Sequence, residues 1–262
     1  MSEGSDDKLM PAPSAAPKPG ALPDAPLEKL IHDPSPDVTR AVAADPRLTE
    51  DLALSLLKRR DLPGDALEAL YKHKSLVKLR KVQLAIVMHP SAPRHVSVPV
   101  IRHLYAFELM QIALAPAVPA DVKHAAEEAI VARLATISAG ERSELAKRGS
   151  GRIAAALLLD KEERIMQAAL LNPQMTEIWI VKALKVGAGT ELLAPAVCRH
   201  QKWSQRIDVK LALIANPHTP LARVAQFAGE LPLHAIKEIL RSARLAPNVK
   251  ACLRGVLDSR SK

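Results

Sequence analysis

Aromatic residues are nearly missing from this chain. Two Trp, two Tyr and two Phe make up 2% of its 262 residues, while 48% of the chain is hydrophobic. A core large enough for this length must therefore be built from Leu, Ile, Val and Ala. Strand-rich domains lean on β-branched and aromatic side chains, and no long stretch alternates with period two. The composition excludes a sheet-based fold and predicts an all-α protein. Cysteine is as scarce: Cys198 and Cys252 are too far apart in sequence for a metal-ligand spacing, and two cysteines make no disulfide framework, so both are expected to be reduced and packed. No apolar run approaches the roughly 18 residues that a membrane span needs. The N-terminus is acidic, with Asp6 and Asp7, and lacks the apolar core of a signal peptide, which predicts a cytoplasmic protein.

Signatures of chemistry are missing too. There is no Gly-x-x-x-x-Gly-Lys, Gly-x-Gly-x-x-Gly, Gly-x-Ser-x-Gly or His-Glu-x-x-His. The nine histidines are dispersed, and the adjacent acids Glu127-Glu128 and Glu162-Glu163 point in different directions on a helix, as solvated surface does. No catalytic, cofactor-binding or metal-binding residue is assigned, and the expectation is a non-enzyme.

What is present is a recurring phrase. A branched residue, an alanine and an apolar residue stand eight, five and four positions before a proline: Val38, Ala41 and Val42 before Pro46; Val82, Ala85 and Ile86 before Pro90; Ile165, Ala168 and Ala169 before Pro173; Val209, Ala212 and Leu213 before Pro217. Pro46 to Pro90 is a step of 44 residues, and so is Pro173 to Pro217. A second signal, Leu62-Pro63 followed by Leu67 and Leu70, matches Leu22-Pro23 and Leu231-Pro232 and reads as a helix start. One unit then comprises a helix from Pro36, closed by Pro46; a second capped by Thr49, with Leu54 and Leu57 inward; and a third opened by Pro63. Val98 and Ile101, Val181 and Leu184, and Ala225 and Ala228 repeat the second-helix positions. Three short helices in about 44 residues is the arithmetic of HEAT and armadillo repeats.

A degenerate unit surrounds Val122, where Ile130 replaces the closing proline and predicts one longer, continuous helix. A partial copy at Pro247 puts Cys252 on the alanine position. Residues 1–20, rich in Pro and Ala, read as a disordered tail, and residues 21–262 as the repeat domain. A break is expected near residues 139–151, at Gly149-Ser150-Gly151.

Val38 to Thr49 resembles the bacterial leucine-rich repeat variant (LRV), a helical repeat of the wider HEAT/armadillo group, and Asn216-Pro217-His218-Thr219-Pro220 is similar to its Asn-Pro-x-Thr-Pro turn. Ile165 to Thr176 carries the Asn-Pro, and His89-Pro90-Ser91-Ala92-Pro93 the prolines alone. The resemblance implies a right-handed α-solenoid with a binding groove and names no activity. The cysteine cluster that some members use for iron–sulfur binding has no counterpart, since no cysteine precedes Cys198.

Charge suggests where a partner would sit. The chain carries 37 Lys and Arg against 28 Asp and Glu, a formal +9, yet residues 1–50 hold five basic and nine acidic residues. The basic body favours acidic partners. Second helices end in Lys58-Arg59-Arg60, Arg102 and Lys185, while Lys72 aligns with Arg199 and Lys74 with Gln201, with Lys202 and Arg206 close by. Repeated positions stack in a solenoid, so these cations form stripes, either a surface for phosphates or carboxylates or simple complements to helix C-termini. Trp203 aligns with Leu76 and is expected in the core. Trp179 aligns with Leu52, Val96 and Arg223, and a position that accepts arginine suits an exposed anchor as well as a core residue. The sequence predicts a scaffold or adaptor that binds a protein, with Trp179 and these cations as candidate contacts; the alternative is a basic HEAT-like nucleic-acid-binding protein without a catalytic cluster.

Overall fold

The computed structural model describes residues 25–241 and 245–260, so the expected tail at residues 1–20 and the Leu22-Pro23 helix start lie outside the described residues. Those described form helices and turns, without a strand. They divide into two compact units, with the division at Ser97/Val98. The first contains α1 (Leu27–Leu30), α2 (Pro36–Ala44), α3 (Glu50–Leu57), α4 (Gly64–Lys72), a 3₁₀ turn (Leu76–Lys78) and α5 (Arg80–Val87); α6 (Arg94–Ile101) spans the division. The second contains α7 (Ala106–Leu114), α8 (Ala120–Arg133), α9 (Ala139–Arg148), α10 (Gly151–Leu157), α11 (Glu163–Leu170), α12 (Glu177–Val186), α13 (Leu193–Arg199), α14 (Ile207–Ala215), α15 (Leu221–Glu230), α16 (Leu233–Leu240) and α17 (Pro247–Arg260).

Helix starts follow the punctuation of the sequence. Pro36 occupies the first turn of α2, Pro63 and Pro232 cap α4 and α16, and the Thr49 hydroxyl accepts the Leu52 amide at 3.4 Å to cap α3. The degenerate unit is the expected continuous helix, the 14 residues of α8. In the first unit α2 packs on α4 and α3 on α5, around a core of Leu56, Leu67, Leu70, Val82 and Ile86. In the second, α9 packs on α11, α12 on α14 and α15 on α17, while α10 packs against α8, α9, α11 and α12.

In the phrase helices the branched and apolar positions are buried at Val82 and Ile86, Ile165 and Ala169, and Val209 and Leu213, while in the first of them Val42 is buried and Val38 half-buried. Most of the alanines between them are only half-buried, and Cys252 at the corresponding place in α17 is half-buried too. The second helices correct the sequence reading by one position. Leu57 is buried, but Leu54 is half-buried, and Ala53 and Leu56 are fully covered. The inward set is 53, 56 and 57, repeated as Ser97, Val100 and Ile101, as Ile180, Ala183 and Leu184, and as Val224, Phe227 and Ala228. Residues at i, i+3 and i+4 share one helix face, and the residue after i is turned about 100° away from it. Val98, Val181 and Ala225 are accordingly half-buried, like Leu54.

The residue before each phrase proline has a task that composition does not show. The His89 ring accepts the Ser91 amide on Nδ1, and its Nε2 lies 2.7 Å from the carbonyl of Arg59, 30 residues earlier. Asn172 accepts the Gln174 amide and donates to the carbonyls of Ala146 (2.8 Å) and Gly149 (3.0 Å). Asn216 accepts the His218 amide and donates to Leu184 O at 2.7 Å. Each side chain thus shapes its own turn and satisfies a carbonyl that an earlier helix end leaves without an intrahelical partner. Asp45, at the same place, cannot donate when ionised. It takes the Arg47 amide and guanidinium, both at 2.8 Å, and Arg47 holds its carboxyl below the usual carboxylate range.

Gly149 and Gly151 form a corner inside the second unit, apart from the division at Ser97/Val98. A Cβ on Gly149 would clash with Leu145 O, and one on Gly151 would lie 2.6 Å from Gln174 O. Ser150 between them accepts the Ile153 amide at the start of α10 and donates to Glu127. Glu127, expected as solvated surface, is therefore largely covered, with 16% of its side chain exposed.

Candidate functional site

The cations singled out from sequence are mostly on the surface. Lys58, Arg60, Lys72 and Lys74 are exposed in the first unit; Arg102, Lys185, Arg199, Lys202 and Arg206 are exposed in the second. Arg59 differs: it donates to the Ile31 and Asp33 carbonyls at 2.8 and 2.7 Å and pairs with Asp61 at 2.8 Å, leaving 17% of its side chain exposed. Its job is to hold the end of α1, as Arg133 holds the Arg102 and Leu104 carbonyls and Arg260 those of Ala228 and Leu231. Lys72 reaches Glu68 at 3.4 Å, and Lys202 lies over the Trp203 ring at 4.0 Å. Trp203 is in the core, with its indole N–H donating to Leu170 O.

Trp179 occupies a different setting. It is half-buried in the wall of a cavity of about 470 Å³, with Val131 of α8, Arg152, Ala155 and Ala156 of α10, Leu159, and Lys182, Ala183 and Val186 of α12 around it. The cavity exists because α10 is short and small-faced. Its seven residues read Gly-Arg-Ile-Ala-Ala-Ala-Leu, against 14 in α8 and 10 in α12. Gly151 lets the Gln174 backbone close on the start of α10 and leaves the Trp179 indole nitrogen 3.5 Å from where a Cβ would stand. The Lys182 ammonium sits 4.8 Å from the ring centroid, a cation–π distance. A second cavity of about 370 Å³ shares Ala156 and Leu159 and continues to Leu134, Arg142, Asp160 and Lys161. There Arg142 is fixed by Asp160 at 2.8 Å, Glu162 at 3.0 Å and the Ile137 carbonyl at 2.8 Å.

Of the lining residues of the larger cavity, Trp179 alone was legible as a candidate; Arg152 and Lys182 come from helices whose juxtaposition is tertiary. Two other polar features were missed altogether, the Arg142–Asp160 pair and a buried lysine. Lys210 is 8% exposed and meets Glu230 at 2.6 Å, and this contact, with Gln226 second, lowers the Glu230 carboxyl. Both pairs join residues at least 18 apart, beyond any local pattern.

Among the described residues no group of three or more His, Cys, Asp or Glu is disposed to hold a metal ion, and no helix is long and apolar enough to cross a membrane. Cys198 is buried, and desolvation pushes its thiol up to about 11 against the opposing pull of Arg223 and Arg199. It stays protonated at neutral pH and is a poor nucleophile. Iodoacetamide at neutral pH should label half-buried Cys252 and spare Cys198, with both labelled in denaturant; peptide mass mapping reads the two sites, and equal labelling in the native state would contradict this assignment.

No protein-family model, no curated protein and no solved structure matches the chain.

Proposed function

We propose that the chain is a right-handed α-solenoid of HEAT/armadillo-like repeats of about 44 residues, resembling LRV repeats, and that it acts as a non-enzymatic scaffold or adaptor whose protein partner docks in the groove lined by α8, α10 and α12. The observation that carries the function is the half-buried Trp179 in the wall of a cavity of about 470 Å³ floored by Ala155 and Ala156. Half-covered aromatic residues in a concave, mainly apolar recess are the usual anchors of protein interfaces. The repeat reading is supported by the recurring inward triplets and by His89, Asn172 and Asn216, which bond to carbonyls 30, 26 and 32 residues earlier.

The test is quantitative affinity purification with wild type and Trp179→Ala, whose folding is checked by thermal melting. A protein enriched by the wild type and lost by about tenfold or more from an equally stable Trp179→Ala is the expected result. Partners retained in full by the variant would remove the groove as their site. The alternative nucleic-acid reading has the formal +9 charge in its favour. Binding to duplex DNA or RNA at about 50 mM salt with a steep salt slope, indifferent to Trp179→Ala, would replace the protein-partner reading.

A further inference from the structure

The two adjoining cavities along α10 differ from an ordinary apolar groove in their charge. Their lining holds Arg142, Arg152, Lys161 and Lys182 against a single carboxylate, Asp160; Arg142 pairs with it at 2.8 Å and with Glu162, outside the lining, at 3.0 Å. Arg152 shares Glu128 at 3.4 Å with His124, and Glu128 lies outside the lining. Lys161 and Lys182 have no ion-pair partner among the described residues. The Trp179 indole N–H likewise has no acceptor among them, although it sits beside the first turn of α10. Lys182, whose contact within the protein is the Trp179 ring at 4.8 Å, and the Trp179 N–H therefore border a recess whose floor is alanine and whose walls are Val131, Leu159 and Val186, with Lys161 in the adjoining cavity.

We infer that the occupant of this groove is a segment of another protein that inserts a large apolar side chain beside Trp179 and sets Asp or Glu carboxylates against Arg152, Lys161 and Lys182. This deepens, and rests on, the reading of the groove as a protein-docking site. An acidic apolar peptide satisfies both halves of the lining. A neutral apolar one leaves the cations facing its dehydrated edge, and a purely acidic one leaves the recess unfilled. Charge complementarity of this kind sets specificity and on-rate while the anchor supplies affinity.

The experiment is selection of a displayed library of random dodecapeptides on the full chain, followed by anisotropy titration of the enriched peptides as fluorescein conjugates. The expected peptides combine a Leu, Ile, Phe or Trp anchor with Asp or Glu in excess over the library. Trp179→Ala should weaken them by about thirtyfold, the loss of an anchor worth about 2 kcal/mol. Lys161→Glu/Lys182→Glu, changes at two exposed positions whose folding is checked by thermal melting, should weaken the acidic peptides and spare versions with Asn and Gln in place of Asp and Glu. Enriched peptides without an acidic bias that still require Trp179 would overturn the acidic occupant and leave the docking groove standing. Peptides indifferent to Trp179→Ala, or no enrichment at all, would overturn both.

Discussion

Asn172→Asp should destabilise the protein by about 3 kcal/mol or more at neutral pH, although it changes one buried amide nitrogen for oxygen. Asn172 is 4% exposed, and its amide donates to two carbonyls, Ala146 O and Gly149 O, at 2.8 and 3.0 Å. A carboxylate there loses both donations and turns negative charge on two carbonyl oxygens. Gln174 offers its backbone amide and no cation. Burial and the facing carbonyls raise the folded-state pKa of the new acid above its unfolded value near 3.9. Its protonated form is then the better tolerated one. The penalty is smallest below the unfolded pKa and grows as pH rises through the folded pKa. Urea denaturation of variant and wild type at about pH 4 and pH 7 should show the difference widening with pH, and a constant difference would refute the carbonyl-facing geometry. The chain contains its own control: Asp45 occupies the same turn position and is held by Arg47. Gln174→Arg added to Asn172→Asp should recover part of the loss, since it supplies the ion pair while leaving the two carbonyls unmet.

This control also shows where sequence stops being legible. The phrase positions were readable because their cause is local: a 3.6-residue helix repeats its buried face, and proline stops it. The longer helix at Ile130 followed from the same rule, since only the proline was missing. The second helix was misread by one residue because Leu54 and Leu57 look like a natural i, i+3 pair, and Ala53 or Ser97 carries too little hydrophobicity to reveal itself as core. The helix-end residues could be aligned as equivalents, yet nothing local said that His89 or Asn172 reaches a carbonyl 30 or 26 residues earlier. Trp179 was legible as a position that accepts arginine, while the groove around it was not, because it arises from a short α10 recessed among longer neighbours. Arg59 looked like one of a run of surface cations and proves to be a helix clasp for the same reason: its partners, Ile31 and Asp33, are distant in sequence.

The corner at Gly149-Ser150-Gly151 couples fold to groove, which makes Gly151→Ala the second large prediction. Gly151 has no need of unusual backbone angles; it is glycine because a Cβ would stand 2.6 Å from the Gln174 carbonyl oxygen. That oxygen is backbone, in the turn that Asn172 braces through the Gln174 amide at 2.7 Å, so it cannot swing aside as a side chain could. Either α10 or the turn before α12 must shift, at a cost of about 1–3 kcal/mol for overpacking. The shift falls where the groove is built, because α10 provides Arg152, Ala155 and Ala156 and α12 provides Trp179 and Lys182. Gly140, whose Cβ would meet nothing within 4 Å, is the matched comparison in neighbouring α9. Gly140→Ala should be neutral or slightly stabilising, as expected for replacing a helical glycine. Gly151→Ala should lower the urea midpoint and change the Trp179 emission in a Trp203→Phe background, where the indole signal has a single source. A Gly151→Ala protein as stable as wild type, with unchanged emission, would mean that the close approach of Gln174 to α10 does not set the groove.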